Sequence, residues 1–146
     1  MNYENINEIT QLSKKSNVLF IEDNNEVREQ ITKLLSNFFP NIITAHDGEQ
    51  GYNYYEAFKR QNCKNFDILI TDLNLPKMDG ISLCKRVLKD NPNQIIIVVS
   101  AHTESSKLNK LKELGISNFI QKPINYNFFL NTIIQTVNNL KTKAKF

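Results

Sequence analysis

Ile68-Leu69-Ile70-Thr71-Asp72-Leu73-Asn74-Leu75-Pro76-Lys77-Met78-Asp79-Gly80 opens on three aliphatic residues and turns polar at Asp72. A short apolar run that does not alternate with polar residues is how a strand buried on both faces of a parallel sheet reads. Two further runs have this character, Val18-Leu19-Phe20-Ile21 before it and Ile95-Ile96-Ile97-Val98-Val99 after it. Weaker runs at Ile42-Ile43-Thr44-Ala45 and Phe119-Ile120 bring the set to five.

The segments between them carry helical periodicity. Val27, Ile31, Leu34, Leu35 and Phe38 fall on one face of a helix, as do Tyr54, Tyr55 and Phe58. Ile81, Cys84, Val87 and Leu88 form a third stripe; Leu108, Leu111 and Leu114 form a fourth, which Gly115 would close. Phe129, Ile133, Val137 and Leu140 form the last. Aromatics at this spacing are read as core. Strand and helix thus alternate five times, which predicts an α/β domain with a five-stranded parallel sheet and right-handed crossovers. Residues 1–16 form an N-terminal extension, frayed or loosely helical through Ile6, Ile9 and Leu12. The domain proper is placed at 17–143, with a tail at 144–146.

At 146 residues the chain suits one domain with a sizeable core. Its 18 Lys and Arg against 15 Asp and Glu are scattered, so the net charge of +3 marks no nucleic-acid face. Lys141, Lys143 and Lys145 read as a solvated helix end. No stretch approaches the ~18 apolar residues of a membrane span, and residues 1–16 carry no apolar signal core, so the cytoplasm is the expected compartment. Cys63 and Cys84 lack metal-ligand spacing, and Cys84 sits on an apolar stripe as a core thiol.

Sheets of this kind bind ligands beyond the carboxyl ends of their strands. The first strand ends in Glu22-Asp23, the third in Asp72, the fourth in Ser100-Ala101 and the fifth in Lys122-Pro123. Three carboxylates, a hydroxyl and an ammonium therefore converge on one edge. Clustered carboxylates repel and raise each other's pKa unless a cation sits among them. An all-oxygen site with few protein ligands suits Mg²⁺, with Mn²⁺ able to substitute. A carboxylate there can act as nucleophile toward a phosphoryl group, with Lys122 and Ser100 offering charge and hydroxyl to its oxygens.

Glu22-Asp23, the stretch Thr71 to Gly80, Val99-Ser100-Ala101 and Lys122-Pro123 together resemble the motif set of response-regulator receiver domains of two-component systems, over residues 17–140. The resemblance implies a flavodoxin-like doubly wound fold with strand order 2-1-3-4-5 and helices on both faces. It implies Asp72 as the phosphoacceptor, and Mg²⁺ held by Asp23, Asp72 and the Asn74 backbone carbonyl, with Glu22 acting through a metal-bound water. Ser100 and Lys122 would bind phosphoryl oxygens. Phe119 matches an aromatic switch position often held by Tyr; lacking a hydroxyl, it is expected to rest inward on burial alone. Asp79 is placed to cap the next helix, and Lys122-Pro123 is expected to be cis. His102 stands where family members vary in dephosphorylation rate; His46 is given no function.

The partners implied are a sensor histidine kinase or phosphotransfer protein, and an output protein at the face of the Leu108–Leu114 helix, the fifth strand and the last helix. No reaction beyond self-phosphorylation and autodephosphorylation is implied. A haloacid-dehalogenase-type phosphatase would want an acid two positions after its nucleophile, where Asn74 stands. An FMN protein would want a phosphate loop where Glu22-Asp23-Asn24 would repel one. With only residues 124–146 after the last strand, a stand-alone regulator is favoured over the receiver piece of a longer protein.

Overall fold

The computed structural model describes residues 3–101 and 105–144. Five parallel strands form one sheet: β1 (Asn17–Ile21), β2 (Asn41–Ala45), β3 (Ile68–Thr71), β4 (Ile95–Ser100) and β5 (Asn118–Gln121), in the order β2-β1-β3-β4-β5. The register sets Val18 beside Ile68 and Ile68 beside Ile95, so the apolar runs stack side by side across the sheet centre. The helices are α1 (Tyr3–Lys15), α2 (Asn25–Ser36), α3 (Gly48–Asn62), α4 (Gly80–Asp90), α5 (Ser105–Glu113) and α6 (Tyr126–Ala144). The fold class is as the sequence pattern predicts, and the strand order is as the family resemblance implies.

Side chains alternate across a strand, so each central strand feeds two cores. Leu19, Ile21, Leu69, Ile96 and Val98 pack with Tyr55 of α3, Leu83, Cys84 and Val87 of α4, and Leu111 of α5. Val18, Phe20, Ile68, Ile70, Ile97 and Val99 pack on the other face with Ile31 and Leu35 of α2 and Phe129, Ile133 and Val137 of α6. Each such fully buried side chain is worth about 1.5–3 kcal/mol against exposure. Burial also pushes the Cys84 thiol up to about 12, which leaves it unreactive at neutral pH. Gly115 closes α5 at φ +92°, a backbone state that favours glycine.

Three features differ from expectation. Tyr54 is exposed, because its neighbour Tyr55 takes the core position and consecutive helical residues point 100° apart. Phe39, which no stripe includes, is fully buried: α2 ends at Ser36, and beyond it helical spacing no longer decides which side chain turns inward. Residues 3–15 of the extension form a regular helix, with Leu12 packed on the α6 side of the sheet and the Asn41 side chain donating to the Lys14 carbonyl at 3.2 Å. The helix α6 runs to Ala144, one residue into the expected tail; Lys145 and His102 lie outside the described residues, as do the side chains of Ile6, Ile9, Lys141 and Lys143. None of the described helices is long and apolar enough to cross a membrane.

A partly exposed network fastens α3 to α4. The Tyr55 hydroxyl donates to Asp90 Oδ2 at 2.7 Å, and Lys59 Nζ lies 2.8 Å from both Asp90 oxygens. The Lys59 and Tyr55 bonds hold the Asp90 carboxyl below its ordinary value of 3.8. A depressed folded pKa stabilises above the unfolded value, and that stabilisation is lost as pH falls through the folded one. Asp90→Asn should therefore cost about 1 kcal/mol at pH 7, since the pair is partly exposed and solvent-screened. The cost should fade below about pH 3.8 as the wild-type carboxyl also protonates, and urea melts of both proteins at pH 7 and pH 3 check this. A gap that persists undiminished at pH 3 would show that the charge is not what Asp90 contributes.

Candidate phosphoryl and metal site

At the carboxyl edge of the sheet β1 delivers Glu22 and Asp23, β3 delivers Asp72, β4 delivers Ser100 and β5 leads into Lys122. One carboxylate oxygen from each of Glu22, Asp23 and Asp72 lies within 4.8 Å of the others. Glu22 is 1% exposed and Asp72 5%, while Asp23 is exposed. Lys122 Nζ reaches into this group, 2.8 Å from Asp72 Oδ2 and hydrogen-bonded to Glu22 Oε1. The Lys122-Pro123 peptide is cis, as expected.

Charge counting shows what the cluster lacks. Three carboxylates face one ammonium, leaving two negative charges in a partly buried pocket. Burial raises the Glu22 carboxyl above its ordinary value, against the pull of its Lys122 bond and with a further push from Asp72. Burial pulls the Lys122 ammonium down, but its bonds to Asp72 and Glu22 outweigh that and raise it. A divalent cation is the group that would balance the excess, and an all-oxygen donor set with one exposed carboxylate fits Mg²⁺ with waters retained.

The loop after β3 is shaped around Asp72. Asn74 N–H donates to Asp72 Oδ1 at 3.2 Å, and Gly80 N–H donates to the Leu73 carbonyl at 2.8 Å. Asp79 caps α4 by accepting from Ser82 N–H at 2.8 Å, the role its position predicts. A methyl group on Gly80 would stand 2.6 Å from Leu73 Cα and would overlap the Asp72 carbonyl. Gly80→Ala should thus destabilise by about 2–3 kcal/mol, a fall in Tm of roughly 8 °C. A melting curve matching wild type would mean that α4 does not need this approach.

The remaining predicted residues are spread around this centre. Ser100 is buried beside it and lines a cavity of about 590 Å³ with Leu108, Phe119, Lys122 and Phe128. Phe119 packs half-buried against the Leu111 core, where a largely inward ring is expected. His46 stays at the surface, 3.0 Å from Asp47. Two contacts escaped the sequence. Arg28 donates to the Glu22 carbonyl at 2.8 Å, one turn into α2, and Lys107 Nζ donates to Asn74 Oδ1 at 3.3 Å. Only the second left a trace: a lysine in the first turn of a helix opposes the helix dipole and calls for a partner elsewhere.

Residues 18–134 match the family model of the response regulator receiver domain. The chain is 32% identical over 108 residues to the chemotaxis protein CheY of Treponema pallidum, covering 73% of this chain and 72% of that one. It is 30% identical over 122 residues to a cyclic di-GMP phosphodiesterase of Thermotoga maritima, covering 84% of this chain. It spans 31% of that relative's length and 41% of a probable transcriptional regulator, ycf27, of Guillardia theta. Among solved structures, the CheX-CheY-BeF3-Mg+2 complex of Borrelia burgdorferi superposes with a TM-score of 0.74 at 29% identity, covering 84% of this chain and 89% of that one. The N-terminal domain of a Wolinella succinogenes protein superposes at 0.75 with 30% identity, covering 88% and 98%.

Proposed function

The chain belongs to the response-regulator receiver family of two-component systems, and on that premise we propose that it accepts a phosphoryl group on Asp72 in a Mg²⁺-dependent reaction. The observation that carries this reading is the meeting of Glu22, Asp23 and Asp72 oxygens within 4.8 Å, with Lys122 Nζ 2.8 Å from Asp72. Asp23, Asp72 and the Asn74 carbonyl would hold the metal, with Glu22 behind a water. Bound there, Mg²⁺ supplies the charge neutralisation that lets an anionic phosphoryl group approach a carboxylate.

Asp72 attacks phosphorus through a carboxylate oxygen; the bond from phosphorus to the donor's leaving group breaks, and the leaving group departs with the electron pair. Lys122 then exchanges its bond to the carboxylate for one to a phosphoryl oxygen. Ser100 donates its hydroxyl to another. Moving Ser100 toward Asp72 empties space next to Phe119 in the cavity they share, so that ring can turn further inward. The α5–β5–α6 face would change with it and present the switch to an output protein. The donor is a sensor histidine kinase or phosphotransfer protein in the cytoplasm. The chain's chemistry ends with gaining and losing its own phosphoryl group.

Intact-mass measurement after incubation with acetyl phosphate and Mg²⁺ tests this. One phosphoryl group is expected, stable in acid, removed by hydroxylamine and absent when EDTA replaces Mg²⁺. No uptake, or uptake indifferent to EDTA, would overturn the reading.

A further inference from the structure

We propose that Lys107 is a positioning residue that sets how long the phosphoryl group stays on Asp72; this rests on the reading of Asp72 as phosphoacceptor. Two hydrogen bonds in series tie that carboxylate to α5. The Asn74 N–H donates to Asp72 Oδ1 at 3.2 Å, and the Asn74 side-chain Oδ1 accepts from Lys107 Nζ at 3.3 Å. The loop holding Asp72 is thereby joined to α5.

Lys107 stands at the positive end of its helix. It is the third residue of α5, a first turn that contains no acid, where a cation opposes the positive end of the helix dipole. Reaching across to Asn74 gives the ammonium an oxygen acceptor and fixes the amide in the same contact. Beneath the pair lies a cavity of about 270 Å³ lined by Leu73, Asn74, Leu75, Asp79, Ile81 and Lys107. At about 30 Å³ per molecule it has room for several waters.

The chemistry at stake is hydrolysis of the aspartyl phosphate. Water oxygen attacks phosphorus, the bond from phosphorus to the Asp72 oxygen breaks, Asp72 leaves as carboxylate with the electron pair, and a proton passes to solvent as inorganic phosphate departs. A freely rotating Asn74 amide, two residues from the acyl phosphate, is well placed to accept from such a water and aim it at phosphorus. Bonded to Lys107, the amide oxygen is turned toward α5 with one of its two lone pairs taken, which makes it poorer at this task. Lys107 therefore acts through Asn74, and it slows the loss of the phosphoryl group.

The test labels the protein from radioactive acetyl phosphate with Mg²⁺, removes the donor and follows the label. Lys107→Met, similar in length but uncharged, should lose it about three to ten times faster than wild type, the worth of one hydrogen bond. Lys107→Arg, which keeps a donor, should stay near the wild-type rate. In an Asn74→Ala background Lys107→Met should add nothing, which separates action through Asn74 from a general loosening of α5. If labelled Lys107→Met decays at the wild-type rate, or accelerates equally without Asn74, or if Lys107→Arg is as fast as Lys107→Met, the proposal is overturned while the Asp72 reading stands. If wild type takes up no label, the Asp72 reading falls and the proposal with it.

Discussion

Asp72→Asn is expected to fold as wild type does and to take up less than about one-hundredth of the phosphoryl group from acetyl phosphate, as removal of a nucleophile demands. The two halves of that expectation have separate physical grounds. Asparagine has the shape of aspartate, and its Oδ1 can still accept from Asn74 N–H, so the loop after β3 keeps its anchor. Lys122 loses one of its two carboxylate partners but keeps Glu22, and the cluster sheds one of three repelling charges. Stability should therefore change little. An amide, by contrast, has no anionic oxygen with which to attack phosphorus. Intact-mass and circular-dichroism measurements on the same sample check both halves. Undiminished uptake would place the acceptor elsewhere.

The second large effect is on stability, and its sign depends on the metal. A ligand that binds only the native state stabilises it by about 2.7 kcal/mol at a concentration 100 times its Kd, so saturating Mg²⁺ should raise Tm by roughly 8–10 °C. Mn²⁺ should do the same, since the donor set is all oxygen. Asp23→Asn should lose most of that shift, because Asp23 is the exposed carboxylate of the cluster, where an entering ion meets it first. The same variant without metal should melt above the metal-free wild type, since it removes one of two uncompensated charges. Thermal melts with and without Mg²⁺ read all four states. An equal Mg²⁺ shift in both proteins would remove Asp23 from the metal site.

The legible part of the fold was the part fixed by uninterrupted local pattern. Ile68-Leu69-Ile70 and its neighbouring runs could be read because a strand buried on both faces has no polar position to confuse the signal. Tyr54 and Phe39 could not. The first sits beside a better core residue on a helix with aromatics in three of four consecutive places; the second lies past the point where helical spacing holds. The strands at either edge gave the weakest runs, and Ile43 of β2 is exposed there. The helix of residues 3–15 was half seen, because much of its support comes from α6, over a hundred residues away.

The site was legible for a different reason. Parallel topology guarantees that strand ends share an edge, so Glu22, Asp23, Asp72, Ser100 and Lys122 could be grouped without any distance. What sequence spacing could not supply is which groups touch. The bonds from Lys122 to Glu22 and Asp72 span 100 and 50 residues, and the Lys107–Asn74 bond spans 33. Phe119 shows the same limit: its place follows from the spacing to Lys122, but how far it turns inward depends on packing around a cavity lined from β4, α5, β5 and α6.

Reduction with sodium borohydride after acetyl phosphate and Mg²⁺ treatment tests the central claim most directly, because it converts an acyl phosphate on aspartate to homoserine and so records the acceptor in the sequence. Peptide mass mapping should then find homoserine at position 72 alone, and none when Mg²⁺ is withheld. Homoserine at another aspartate, or a phosphorylated protein with position 72 unreduced, would contradict the account.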